Sequence, residues 1–356
     1  MNILTPVLPD LPARWVASLL PGGIPEETHA TCDRCAMCSA DAPQGSATFF
    51  HPTAKCCTYE PALPNFLVGR ILRDTDAAMQ FGRRTVEERI ATRLATTPWG
   101  LEPTRRHSLL YGDSVELFGR SPDLRCPHYQ ENGADGTCGI WRHRNAVCAT
   151  WHCKHVRGAV GLGFWQSLGR LLSEAEWALA TWCVTELGES PGELSRLLHR
   201  ARLRLAPSDL GGADDQAEYE AGWGSWAGRE AEYYTRAAAL VDALEWTDVE
   251  RIGGVRLRAH ATLVRDAYAA LISTELPERT TLGTLRVLSA DDGKCTVQTY
   301  SSFDPLRVPA SLISLLPQFN GRDTHATVDA IASESGTRLS DGILRKLLDF
   351  GLLRKA

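Results

Sequence analysis

Apolar positions recur at helical spacing through most of this chain. Phe66, Leu67, Ile71 and Leu72, then Ala77, Ala78 and Phe81, predict a helical stretch starting at Asn65. Val86, Ile90 and Leu94 fall on one face at i, i+4 and i+8 and predict a second helix over 85–95. A longer helix is expected over 165–187, where Leu168, Leu171, Leu172, Trp177, Leu179, Ala180 and Val184 recur. Ser190-Pro191-Gly192-Glu193 has the composition of a helix start, with Ser as cap, Pro in the first turn and Glu three residues on. Further helices are expected over 214–246 and 255–273. Alternation over 281–289 and 294–299, around Asp291-Asp292-Gly293, predicts a hairpin, and helices follow over 309–316, 326–335 and 339–353. A strand pair over 108–111 and 114–118 is expected to turn at Gly112-Asp113.

Three stretches lack this periodicity. Residues 1–30 read as an irregular, proline-rich lead-in. Residues 31–60 and 121–158 read as loops, the second carrying the turn signals Asn132-Gly133 and Asp135-Gly136. The glycines at 158, 161 and 163 lack dinucleotide-binding spacing and are expected to pass this loop into the following helix. The fold class expected is mainly α, with irregular cysteine-rich loops and a small β-hairpin. Three domains are expected, 1–160, 161–275 and 276–356.

With 356 residues, 44% hydrophobic and 23% charged, the chain has enough surface to bury several cores. Its net charge of −5 argues against a nucleic-acid partner held by bulk electrostatics. No basic segment precedes an apolar run near Met1 and no long apolar stretch occurs, so no membrane partner and a cytoplasmic location are expected.

The cysteines change the picture. Of eleven, nine fall between 32 and 153: Cys32, Cys35, Cys38, Cys56, Cys57, Cys126, Cys138, Cys148 and Cys153. The first three spell C-x2-C-x2-C, and such short gaps let successive thiolates face one cavity. An odd total in a cytoplasmic chain does not suit a disulfide framework. All nine are therefore expected to be metal ligands. Cys183 sits within a predicted helix and is expected in the core.

Thiolates suit iron–sulfur clusters or zinc. The triplet, and Cys126 followed by Pro127, favour an iron–sulfur cluster of the 4Fe-4S type, with zinc as the alternative. Adjacent Cys56 and Cys57 are expected to diverge and to serve different metals or bridge two. Arg142, His143, Arg144, His152, Lys154, His155 and Arg157 crowd the second loop and are expected to support anionic thiolates, with the imidazoles around the site rather than ligating. The aromatic set Tyr219, Trp223, Trp226, Tyr233 and Tyr234 is expected in the core. No phosphate-cradling loop and no nucleophile–base pair can be picked out, so catalytic residues stay unassigned.

Over about residues 31–158 the chain resembles the zinc- or iron-chelating family known by a C-x2-C-x2-C-C motif, which includes a flagellin lysine-N-methylase. Its later block is matched by Arg125-Cys126-Pro127-His128-Tyr129, Cys138-Gly139-Ile140-Trp141 and Arg144-Asn145-Ala146-Val147-Cys148. Ser39 stands where the family's adjacent fourth cysteine belongs, and the Cys56-Cys57 pair follows later. The resemblance implies an iron-bearing protein, possessing or assisting an activity on a peptide or protein. The C-terminal part, through Val308-Pro309, Asn320-Gly321-Arg322 and Leu339 to Leu353, resembles the small winged-helix peptide chaperone of pyrroloquinoline quinone biosynthesis. That implies a winged-helix-like domain whose hairpin edge takes a peptide partner by strand addition.

Overall fold

A computed structural model describes residues 8–24, 27, 32, 35–38, 49–132, 135–188 and 216–356. The fold is mainly helical with small antiparallel sheets. In chain order the helices are α1 (Asp10–Leu19), α2 (Asn65–Arg73), α3 (Gln80–Ala91), α4 (Arg105–Asp113), α5 (Ala146–Thr150), α6 (Gly158–Glu186), α7 (Gln216–Trp223), α8 (Glu230–Asp242), α9 (Trp246–Ile272), α10 (Ala310–Leu315), α11 (Thr324–Ser335) and α12 (Asp341–Asp349). No helix among the described residues is long and apolar enough to cross a membrane.

The chain divides into two compact units. The first takes in 1–24, 30–151 and 168–263, and the second 25–29, 152–167 and 264–356. The middle helices join the cysteine-bearing half because α8 packs on α2. At that contact Gly69 is indispensable, since a Cβ there would lie 1.9 Å from the Tyr234 carbonyl oxygen. Arg73 reaches Asp242 at 2.9 Å, and Arg70 pairs with the same carboxylate. The core between them holds Val68, Ile71, Trp223, Tyr233 and Tyr234, which places the aromatic set inside as expected. The rings of Trp223 and Tyr234 meet edge to face, with centroids 5.5 Å apart. Cys183 is fully buried, also as expected.

Several local expectations are corrected. The proline-rich lead-in contains α1, whose Leu11, Trp15, Val16 and Leu19 form one buried stripe. The expected strand pair at 108–118 is instead α4 and a short 3₁₀ turn, Val115–Leu117. Thr104 caps α4 by accepting the His107 N–H, and a cap supplies locally what a strand would need from a neighbour. The glycines at 158, 161 and 163 lie in the first turns of α6. The Ser190-Pro191-Gly192-Glu193 helix start lies outside the described residues.

In the first unit β1 (Leu63–Pro64), β2 (Thr96–Thr97) and β3 (Gly100–Leu101) form a small antiparallel sheet with β3 in the middle, and β4 (Tyr129–Asn132) pairs with β5 (Asp135–Cys138). In the second unit, β6 (Arg279–Leu282) is the middle strand of a sheet with β10 (Asn320–Asp323) and β11 (Leu353–Lys355). A second sheet runs β7 (Val287–Asp291), β8 (Lys294–Val297), β9 (Leu306–Pro309), all antiparallel. The expected hairpin is thus β7–β8, turned at Asp292 and Gly293, both left-handed. Its first expected strand splits, because residues 279–282 pair elsewhere. The expected helix 339–353 ends at Asp349, and the chain turns at Gly351 into β11. Val297, Leu316, Phe319, Ile331, Leu344 and Leu352 fill the core of this unit.

Candidate metal centre

Cys35 and Cys38 bracket a turn closed by the Cys38 N–H donating to the Cys35 carbonyl at 3.0 Å. Met37, between them, is buried, and its carbonyl accepts the Phe50 N–H. The Cys38 sulfur lies 3.7 Å from the Phe50 carbonyl oxygen. A 3₁₀ turn, Lys55–Thr58, carries the adjacent cysteines. Lys55 opens it with φ of 52°, a left-handed value that costs about 1 kcal/mol for a residue with a side chain. That conformation accompanies the burial of its ammonium group. Nζ donates to the Cys32 carbonyl at 2.6 Å and the Gly136 carbonyl at 2.8 Å.

The second cysteine region closes onto the first. The Cys126 N–H donates to the Cys57 carbonyl at 2.6 Å. Strands β4 (Tyr129–Asn132) and β5 (Asp135–Cys138) form a hairpin that sets Cys138 opposite Tyr129, and the Tyr129 hydroxyl donates to the Pro52 carbonyl at 2.8 Å. Cys148 lies in the first turn of α5, where Asn145 is the cap and accepts the Cys148 N–H at 3.0 Å. Arg144 is buried, lies 3.3 Å above the Trp141 ring and donates to the Cys148 carbonyl at 3.4 Å.

Eight thiols are close enough for their charges to act on one another: Cys32, Cys35, Cys38, Cys56, Cys57, Cys126, Cys138 and Cys148. Burial opposes a charged thiolate and pushes Cys32, Cys126, Cys138 and Cys148 upward. Cys35 is lowered to about 6, first because Cys38 donates a hydrogen bond to it, and Cys38 rises by the same bond. Cys56 is lowered by a hydrogen bond from Cys57, which rises in turn. Lys55 draws down Cys32, Cys35 and Cys38, and Arg144 draws down Cys32, Cys56, Cys138 and Cys148.

Two buried cations among sulfur donors fit a soft metal ion or cluster carrying anionic thiolates. Among the described residues, however, no three Cys, His, Asp or Glu side chains form a group placed to hold a metal ion. No cysteine forms a disulfide.

Cys153 belongs to the second unit, beside His152, which meets the Trp165 ring at 4.4 Å, and His155, whose Nδ1 is 3.1 Å from the Tyr300 hydroxyl. That hydroxyl donates to Asp304 at 2.6 Å. His143 bonds Asp74 at 2.8 Å. Arg142 pairs with Asp76 at 3.0 Å and Arg157 with Asp349 at 2.5 Å, so these cations are engaged by carboxylates. Of the basic set expected to support thiolates, Arg144 acts directly on them. Lys55 was missed. Its one sequence signal is its place immediately before Cys56-Cys57.

No family model matches the chain, no curated protein matches it, and no solved structure matches it.

Proposed function

We propose that the chain is a metal-binding protein whose centre is built by Cys32, Cys35, Cys38, Cys56, Cys57, Cys126, Cys138 and Cys148. The observation that carries this reading is the set of eight mutually interacting thiols with the buried cations Lys55 and Arg144. A buried cation is costly unless anionic charge offsets it. Thiolates holding a metal would supply that charge. Bringing enough sulfurs to one ion requires thiol side chains to rotate from their present positions. The group assigned first is an iron–sulfur cluster, which would supply electron transfer or a Lewis-acidic iron.

On this reading the protein is an enzyme or enzyme subunit acting on a peptide or protein, in keeping with its resemblance to the C-x2-C-x2-C-C family. The partner segment would pair with the exposed edge of β7, where Val287 and Leu288 face solvent, in a C-terminal part read as winged-helix-like.

The second reading is a zinc-stabilised interaction or regulatory protein without catalysis. It is favoured by the Cys35–Cys38 turn, since one C-x2-C turn offers two thiols to a tetrahedral ion. Anaerobic purification followed by elemental analysis, visible absorption and electron paramagnetic resonance separates the two. Iron with acid-labile sulfide supports the first reading. Stoichiometric zinc in a colourless sample overturns it for the second, and a metal-free chain that takes up neither defeats both.

A further inference from the structure

We propose that Cys35 and Cys38 form a reversible dithiol–disulfide couple, open to exchange with a small-molecule disulfide. Cys35 and Cys38 are the ends of one turn, closed by the 3.0 Å hydrogen bond between their backbones. A turn of this kind keeps its end Cα atoms within about 7 Å, inside the range a disulfide spans. Both residues are partly exposed, whereas Cys126 is buried. Cys56 and Cys57 are adjacent in sequence, and a bridge between adjacent residues needs a distorted eight-membered ring, which the Cys35–Cys38 loop avoids.

The exchange balances within these two residues and the reagent. The Cys35 thiolate attacks one sulfur of the disulfide, and the S–S bond of the reagent breaks as the mixed disulfide forms. The departing thiolate takes up a proton. Cys38 then gives up its proton and attacks the Cys35 sulfur, expelling the second reagent thiolate, which is protonated in turn. Two protein thiols are oxidised and one reagent disulfide is reduced to two thiols. The couple does not depend on the centre holding a metal.

The test uses the full chain, stripped of metal by a chelator, treated with oxidised glutathione and quenched with N-ethylmaleimide. Trypsin cleaves after Arg34 and Lys55, giving peptide 35–55 with Cys35 and Cys38 as its cysteines. The expected product is this peptide unalkylated and lighter by two hydrogen atoms, restored by dithiothreitol. Finding it alkylated at both positions, or joined to the peptide bearing Cys56, overturns the proposal. Cys38→Ser provides a second reading, because Cys35 is then expected to retain a glutathione adduct; no adduct on a folded variant also overturns it. Metal content of untreated protein is measured separately, so failure of the metal reading and failure of this couple are told apart.

Discussion

Replacing Lys55 by methionine tests the physical basis of the cysteine nest. Methionine keeps an unbranched stem and a Cβ, so the left-handed backbone at Lys55 costs the same in both proteins. What disappears is the ammonium group and its bonds to the Cys32 and Gly136 carbonyls, at 2.6 and 2.8 Å. Hydrogen bonds to a charged donor contribute about 1.5–3 kcal/mol each, so the gross loss is about 3–6 kcal/mol. Relief from burying the cation offsets part of it, since desolvation costs several kcal/mol per ion. The net expectation is a destabilisation of about 2–3 kcal/mol. At about 2–4 °C per kcal/mol for a body of this size, the melting temperature falls by about 4–12 °C. Circular dichroism of metal-free protein measures it. The same substitution removes a positive charge that favours the thiolates of Cys32, Cys35 and Cys38, so their alkylation at neutral pH slows. An unchanged melting temperature together with unchanged alkylation would refute the idea that a buried cation organises these thiols.

Gly69→Ala puts a methyl group on the Tyr234 carbonyl and forces α2 from α8, and is expected to cost about 1–3 kcal/mol in urea unfolding. Glu60→Gln removes the carboxylate charge from the buried 2.6 Å pair with Arg89, which keeps its bonds to the Leu94 and Glu102 carbonyls, with an expected loss of about 3 kcal/mol by the same measurement. Burial raises Glu176 to about 8 from a normal value of 4.5, so its contribution to stability is full below pH 4.5 and lost as pH rises toward 8. Glu176→Gln, which can still accept the Ala146 N–H, should therefore match the parent in denaturant midpoint at pH 4.5 and exceed it at pH 8. Cys183→Ala should leave metal content unchanged by elemental analysis, because that thiol lies in the core against Ala237.

Helical periodicity was legible wherever an apolar stripe met a core. The stretches at Asn65 and over 165–187, the aromatic set and the burial of Cys183 were all readable from spacing. The β7–β8 turn was readable from Asp291-Asp292-Gly293, since few residues tolerate a left-handed pair. Segments 1–30 and 108–118 misled because a short helix needs only a cap or a few buried contacts, and neither leaves a long periodic signature.

What the sequence determined by itself was the inventory: nine cysteines in two aperiodic stretches, a mainly helical remainder and turns at known positions. Tertiary structure decided which of those cysteines share surroundings. Eight of them act on one another electrostatically. Tertiary structure also selected Lys55 and Arg144 as the cations among the thiols, while Arg142 and Arg157 went to carboxylates. Spacing along a chain sets only how far a side chain can reach. Where it ends is settled by the loss of water around a buried charge, which only a folded neighbourhood with a matching partner can offset.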